Sequence, residues 1–396
     1  MSLHLSKRVT DLQPSPTFAV MERVKQLTAE GVRVYDLASG EPDFDTPDHI
    51  KLAAAAALEA GDTKYTPTAG KPVLRKAVAE WETKLYGQAT SETEVIICSG
   101  GKHALFNTFG SILSPGEEVV VPAPYWVSVP HFVTFHGGTP VIVNCPIEQG
   151  FKITPEQLRK AMTKDTRAVY INSPSNPTGA CYSPEELRSL VAVVAEHPEA
   201  LIVSDEIYEC LTLDESTKHT SLRSLVPEMS ARIIKISGVS KTFAMTGWRI
   251  GWAIAEPRYI SGMSKMQSLS TSNATSFAMA ASAVALTSDL GFLADWIEAY
   301  KHRRDIVCEA IAQMPGMRVT KPQGAFYCFP RIPDSYTPKD PEQSRSVQFA
   351  EDLLEDQRVA VVAGSAFGTE DHIRISYATD EDTIRTAMDR LAAFVR

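Results

Sequence analysis

Short runs of β-branched residues alternate with helical stretches through the middle of the chain. The runs are Val95-Ile96-Ile97-Cys98, Glu118-Val119-Val120-Val121, Pro140-Val141-Ile142-Val143, Ala168-Val169-Tyr170-Ile171, Leu201-Ile202-Val203 and Arg232-Ile233-Ile234. Apolar runs this short suit strands buried on both faces, and strands separated by helices need crossover connections. The pattern predicts an α/β layer fold with a mostly parallel sheet. Between the runs, Ser183-Pro184-Glu185-Glu186-Leu187 combines a capping serine, a first-turn proline and early acidic residues. That is a helix start, and the helix is expected to continue to about Ala195.

The last third of the chain changes character. A helical stretch from residue 289 to about 312 is followed by isolated strand-like runs at 324–329, 359–362 and 372–377. Helices separated by single strands suggest a smaller α+β domain. A chain of 396 residues also exceeds what one hydrophobic core usually holds. The first forty-odd residues carry Pro14, Pro16, Pro42 and Pro47 around one helix and are expected to pack as an arm. The expected division is 1–47 as arm and part of the small domain, 48–288 as the large domain and 289–396 as the small one.

Charge and cysteine usage exclude several function classes. With 39 Lys and Arg against 48 Asp and Glu the formal charge is −9, which argues against a nucleic-acid partner held by clustered cations. The one basic run, Lys301-His302-Arg303-Arg304, precedes Asp305 in a helical pattern and reads as a solvated helix face. Six cysteines are scattered without a C-x-x-C pair, as expected of reduced, buried thiols. No apolar signal segment or membrane-length run is present, so a cytoplasmic protein is expected.

In parallel α/β sheets ligands bind beyond the carboxyl ends of the strands. After the first run comes Ser99-Gly100-Gly101-Lys102, where two glycines at a helix start let backbone N–H groups approach an anion. Alone this is a weak signal, because a glycine turn between strand and helix is common. After the fourth run comes Asn172-Ser173-Pro174-Ser175-Asn176-Pro177-Thr178-Gly179, readable as a turn alone. After the fifth comes Ser204-Asp205-Glu206-Ile207-Tyr208, in which Asp205 also suits a helix cap. After the sixth comes Ser240-Lys241, with Arg249 eight residues beyond Lys241. The set is stronger than its parts. It offers an amine for a Schiff base, a guanidinium and a glycine turn for a phosphate, a carboxylate for a ring nitrogen, and Tyr208 with Asn176 for a phenolic oxygen. Those are the requirements of pyridoxal phosphate.

The chain resembles the class I aminotransferases of pyridoxal-phosphate fold type I, in the branch of the bacterial aspartate aminotransferases. The resemblance is carried by Gly40-Glu41-Pro42-Asp43-Phe44, Tyr65-Thr66-Pro67, Pro124-Tyr125-Trp126, Asn176-Pro177-Thr178-Gly179, Ser204-Asp205-Glu206-Ile207-Tyr208, Ser240-Lys241 and Arg374-Ile375-Ser376-Tyr377, in family order over nearly the whole chain. It implies a seven-stranded, mostly parallel sheet with helices on both faces. It implies that Lys241 holds pyridoxal phosphate covalently and shuttles the substrate α-proton, and that Asp205 keeps the ring nitrogen protonated. Tyr208 and Asn176 are then donors to the phenolic oxygen, and Trp126 stacks on the ring. Arg249, Ser240, Gly101 and Lys102 serve the phosphate, and Arg374 with the Gly40 backbone takes the substrate α-carboxylate. Tyr65 is implied to reach the phosphate of a neighbouring subunit, which makes the protein a homodimer.

The sequence departs from the family in one place. Gly238 stands where many relatives carry a phosphate-contacting serine, so that either Ser237 or Ser240 substitutes or one contact is absent. The implied reaction is ping-pong transfer of an amino group from an L-amino acid, aspartate first, to a 2-oxo acid, 2-oxoglutarate first. Ser15, Thr17 and Lys102 are the candidates for binding a side-chain carboxylate. Aromatic, prephenate or neutral amino acids, and elimination-type lyase chemistry on the same scaffold, remain the alternatives.

Overall fold

The computed structural model describes residues 5–10 and 17–396. Strand β1 (Tyr35–Asp36) precedes a seven-stranded sheet formed by β2 (Val95–Cys98), β3 (Glu118–Ala123), β4 (Thr139–Asn144), β5 (Thr166–Asn172), β6 (Leu201–Asp205), β7 (Ile233–Gly238) and β8 (Gly251–Ile254). Its spatial order is β2-β8-β7-β6-β5-β3-β4. Neighbours from β7 through β4 are parallel, whereas β8 runs antiparallel to both β2 and β7. The expected mostly parallel sheet is therefore present, with every residue of β2, β6, β7 and β8 buried. Strand β4 lies at the edge and is correspondingly more exposed.

The helix after β5 spans Pro184–Ala195, as its sequence signals require. Ser183 Oγ accepts from the Glu186 amide at 3.2 Å, and the Glu186 carboxylate accepts from the Ser183 amide at 2.7 Å. A cap of this kind contributes about 1 kcal/mol.

The remaining strands are β9 (Tyr327–Cys328), β10 (Val359–Ala360), β11 (Val362–Ala363) and β12 (Ile373–Ser376). The single run expected at 359–362 is divided. Its first half, β10, pairs in parallel with β1, and the next residues, β11, join the antiparallel sheet β11-β12-β9. Each half has a different partner, a distinction invisible to local propensity. The same pairing joins the N-terminal segment to the C-terminal third. Tyr35 and Leu37 enter one apolar cluster with Val307, Phe349, Leu353 and Ile375, while separate clusters pack on the faces of the large sheet. Each such side chain, fully buried, stabilises the fold by about 1.5–3 kcal/mol. Among the described residues no single helix is long and apolar enough to cross a membrane.

Candidate active site

The carboxyl ends of β2, β3, β5, β6 and β7 share one edge of the large sheet, and β8, running the other way, begins there. A cavity of about 500 Å³ opens at this edge. Gly40, Gly101, Lys102, Trp126, Asn176, Asp205, Tyr208, Ser240, Lys241, Arg249 and Arg374 all line it. Of the residues singled out from the sequence, Tyr65 does not: its side chain is 92% exposed on the outside of the chain.

Strand β7 ends at Gly238, and a single helical turn, Val239–Thr242, presents Lys241 to the cavity. Its Nζ donates to the Gly40 carbonyl at 2.6 Å. Burial, then the repulsion of Arg374 and Arg249, lowers the Lys241 pKa to about 8, although Glu41 and Asp205 oppose the shift. Asp205 closes β6 and is buried. Its carboxylate accepts from the Tyr170 hydroxyl at 2.8 Å and from the Ile207 amide at 3.3 Å. Burial raises its pKa to about 6 against those two hydrogen bonds.

A cationic corner is built by two glycines, Gly100 and Gly251. Gly100, in the left-handed region at φ 87°, turns the chain from β2 into the helix Gly101–Ile112. A Cβ at Gly100 would stand 2.5 Å from Arg249 Nη2, and one at Gly251 would stand 2.3 Å from the Gly101 nitrogen. Bare backbone is therefore what brings the Arg249 guanidinium and β8 against this helix N-terminus. Arg249, itself at φ 59°, donates to the Thr246 carbonyl at 2.7 Å and the Ser99 carbonyl at 3.3 Å. Lys102 lies 5.1 Å over the Trp126 ring, and its pKa is lowered by burial and by Arg249. A helix N-terminus beside two cations is an anion site.

At the opposite wall Arg374, on β12, is buried. It donates to Asn176 Oδ1 at 3.1 Å and to the Ala38 carbonyl at 2.7 Å, and its ring neighbours are Tyr327 at 4.5 Å and Phe367 at 5.2 Å. Its Nε is buried without a hydrogen-bond partner among the described residues. Tyr208 shares a 2.9 Å hydrogen bond with Tyr327, whose hydroxyl donates to the Gly40 carbonyl at 3.3 Å.

Ser237 does not substitute for a phosphate-contacting serine. Its hydroxyl donates to Glu209 at 2.6 Å, on the side of β7 away from the cavity, whereas Ser240 lines the cavity. A side chain at Gly238 is also obstructed, since its Cβ would meet Gly251 Cα at 2.9 Å and the Ile250 carbonyl at 3.0 Å. Ser15 and the side chain of Thr17 lie outside the described residues. The sequence reading missed Tyr327, Glu41 and Thr246 among the lining residues, and Tyr170 behind Asp205. Glu41 and Tyr327 stood inside runs already singled out, but nothing in those runs marked which of their residues faces the cavity.

An amine, a buried carboxylate, a cationic helix N-terminus and a buried guanidinium with an unmet donor fit pyridoxal phosphate and an amino acid together. Fold and site define a pyridoxal-phosphate enzyme of fold type I.

The family model for aminotransferases of class I and II matches residues 32–391. The chain is 45% identical to an aspartate aminotransferase of Geobacillus stearothermophilus, over 99% of each chain. It is 43% identical to an aspartate/prephenate aminotransferase of Cereibacter sphaeroides, over 98% of each. The solved aspartate aminotransferase of Rhizobium meliloti superposes with a TM-score of 0.94 at 38% identity, covering 99% of this chain and 98% of that one. That of Thermus thermophilus with maleate gives 0.91 at 42%, covering 99% and 100%. The chain belongs to the class I and II aminotransferases, and its activity is pyridoxal-phosphate-dependent amino-group transfer.

Proposed function

We propose that the amino donor is aspartate and the acceptor 2-oxoglutarate, with Lys241, Asp205, Tyr208, Asn176, Arg249 and Arg374 in the roles their positions suit. The observation that carries the substrate choice is Lys102. This cation lines the cavity, and among the described residues no carboxylate pairs with it. Arg374 supplies a second cation across the cavity, so a substrate with two carboxylates meets a positive group at each end. The relatives named for aspartate, and the relative solved with the dicarboxylate maleate, agree with this choice.

Pyridoxal phosphate, when bound, supplies an electron sink that acidifies the α-proton of an attached amino acid. Lys241 takes and returns that proton at Nζ, and its lowered pKa makes a neutral amine available near physiological pH. Asp205, ionised with help from Tyr170 and the Ile207 amide, pairs with the protonated ring nitrogen. Tyr208 and Asn176 would hold the ring oxygen, and Trp126 would cover the ring. Arg249, Ser240 and the backbone of the Gly101–Lys102 turn would grip the phosphate, leaving the Lys102 ammonium for the substrate; a planar guanidinium suits the phosphate oxygens.

The proposed assembly is a homodimer in which Tyr65 enters the partner's pocket. The 92% exposure of Tyr65 and the 88% exposure of Leu269 support it, since large side chains left bare on one chain suit an interface. Residues 48–288 are proposed as the large domain and 289–396, joined by the N-terminal arm, as the small one; the apolar cluster of the small domain also takes in Tyr208, Leu211 and Leu213, where the two meet. Six free cysteines agree with a cytoplasmic location.

A half-reaction screen tests the substrate. The holoenzyme is mixed with single amino acids while the absorbance of the lysine-bound cofactor is followed. Aspartate and glutamate should discharge it fastest. Faster discharge by neutral or aromatic amino acids, or release of ammonia without any 2-oxo acid, would overturn the reading.

A further inference from the structure

Lys235, on β7 six residues before Lys241, is fully buried amid carboxylates. Its Nζ lies 2.7 and 2.9 Å from the two carboxylate oxygens of Glu82, 2.7 Å from Glu209 and 3.3 Å from Glu206. Glu209 also accepts from the hydroxyls of Tyr86 and Ser237, each at 2.6 Å. Glu206 accepts from the Ser204 hydroxyl at 2.7 Å and the Leu222 amide at 3.1 Å, and meets His219 Nε2 at 2.9 Å. Glu206, Glu209 and His219 have the spacing of metal ligands, but the ammonium of Lys235 already touches both carboxylates and supplies the positive charge.

The position of this cluster is what matters. In Ser204-Asp205-Glu206-Ile207-Tyr208-Glu209, residues 205, 207 and 208 line the cofactor cavity while 204, 206 and 209 belong to the cluster. One segment is therefore held from behind by the carboxylates whose neighbours face the reaction. On β7, Ser237 binds Glu209 and is followed at once by the turn that presents Lys241. Glu82 ties the same ammonium to the helix Pro72–Tyr86, 153 residues away in sequence. Lys235 thus sits where the supports of Asp205, Tyr208 and Lys241 meet.

We propose that Lys235 is a positioning residue: through Glu206 and Glu209 it fixes the segment bearing Asp205 and Tyr208, and through Glu209 and Ser237 the strand end bearing Lys241, so that the three keep their spacing across the pocket. The inference rests on the reading that those three residues hold the cofactor. A buried ion pair is poor evidence for stability alone, because apolar residues of the same volume often serve as well. Alignment is a separate property and has a separate readout.

The test uses Lys235→Met, which keeps the volume, and Ser237→Ala, which removes one hydrogen bond and leaves the ammonium paired. Each is measured for the melting temperature of the cofactor-free protein, the pH midpoint of the bound cofactor's absorbance, and kcat and KM. Lys235→Met should move the absorbance midpoint by about half a pH unit or more. It should lower kcat about tenfold or more, with a smaller change in KM. Ser237→Ala should move the midpoint in the same direction by less, with little change in melting temperature. A lowered melting temperature with midpoint and kcat unchanged would overturn the proposal. If Lys235→Met does not fold, Ser237→Ala decides, and an unmoved midpoint rejects the role. Failure of the underlying reading shows separately, as a wild-type protein without the band or a Lys241→Ala variant that retains it.

Discussion

Lys235 and Lys241 stand six residues apart, both withdrawn from water, and their protons have opposite fates. Around Lys235, burial works against the charge, but Glu209, Glu82 and Glu206 outweigh it and hold the ammonium well above its ordinary pKa. Around Lys241, burial and then Arg374 act in the same direction and bring the pKa down to about 8. Desolvation alone does not decide whether a buried lysine is a fixed ion or a working base; the sign of the neighbouring charges does. The acids show the same contrast. Burial pushes Glu82 up to about 8 despite Lys235, whereas Lys235 and His219 override burial to hold Glu206 below the usual carboxylate range.

The comparison breaks most completely at Lys241. Lys241→Ala should abolish the absorbance of covalently held cofactor and reduce turnover by about 10⁴-fold or more. Next, Arg374→Met removes both the cation proposed to bind the substrate carboxylate and a charge that depresses the Lys241 pKa. KM for amino acids should rise by ~100-fold, the loss expected when a charge-assisted pair is removed. The pKa of Lys241 should also climb, so the acidic limb of the pH–kcat profile moves to higher pH.

Glu82→Gln sharpens the other side. The folded pKa of Glu82, about 8, lies above the ordinary value of 4.5 that the unfolded chain restores. Its stabilising effect is complete below pH 4.5 and is lost as pH rises through 8, because the folded state retains a proton that the unfolded state has released. The wild type should therefore lose stability relative to Glu82→Gln as pH rises between those limits, measured by denaturant titration across pH. The smallest effect is expected from Tyr170→Phe, which removes one hydrogen bond from Asp205. Cofactor affinity should weaken by about tenfold, in line with ~1.5 kcal/mol for a hydrogen bond to a charged group. The Asp205 pKa should rise further, because that bond holds it down.

Much of the pocket was legible because several of its lining residues follow a β-branched run, and parallel strands bring their ends together. Asp205 after 201–203, Asn176 after 168–171 and Lys241 after 232–234 needed only that rule and their chemistry. The choice between Ser237 and Ser240 was not legible, because only the fold shows Ser240 lining the pocket and the Ser237 hydroxyl turned towards Glu209. Tyr327 was missed because β9 is two residues long and offers no alternation from which to read an inward face. The division of 359–363 between two sheets was equally hidden, since its partners Tyr35–Asp36 and Ile373–Ser376 lie far from each other in the chain.

The order of strands and helices, the glycine turn at residues 100–101 and the chemical inventory of the pocket were written in the sequence, because periodicity and residue type are local properties. Only the tertiary structure decided that Glu82 would meet Lys235, that Arg374 would face Lys241, and hence which lysine holds its proton more tightly and which less. Electrostatic energy depends on distances through space, and those distances exist only once the chain has folded.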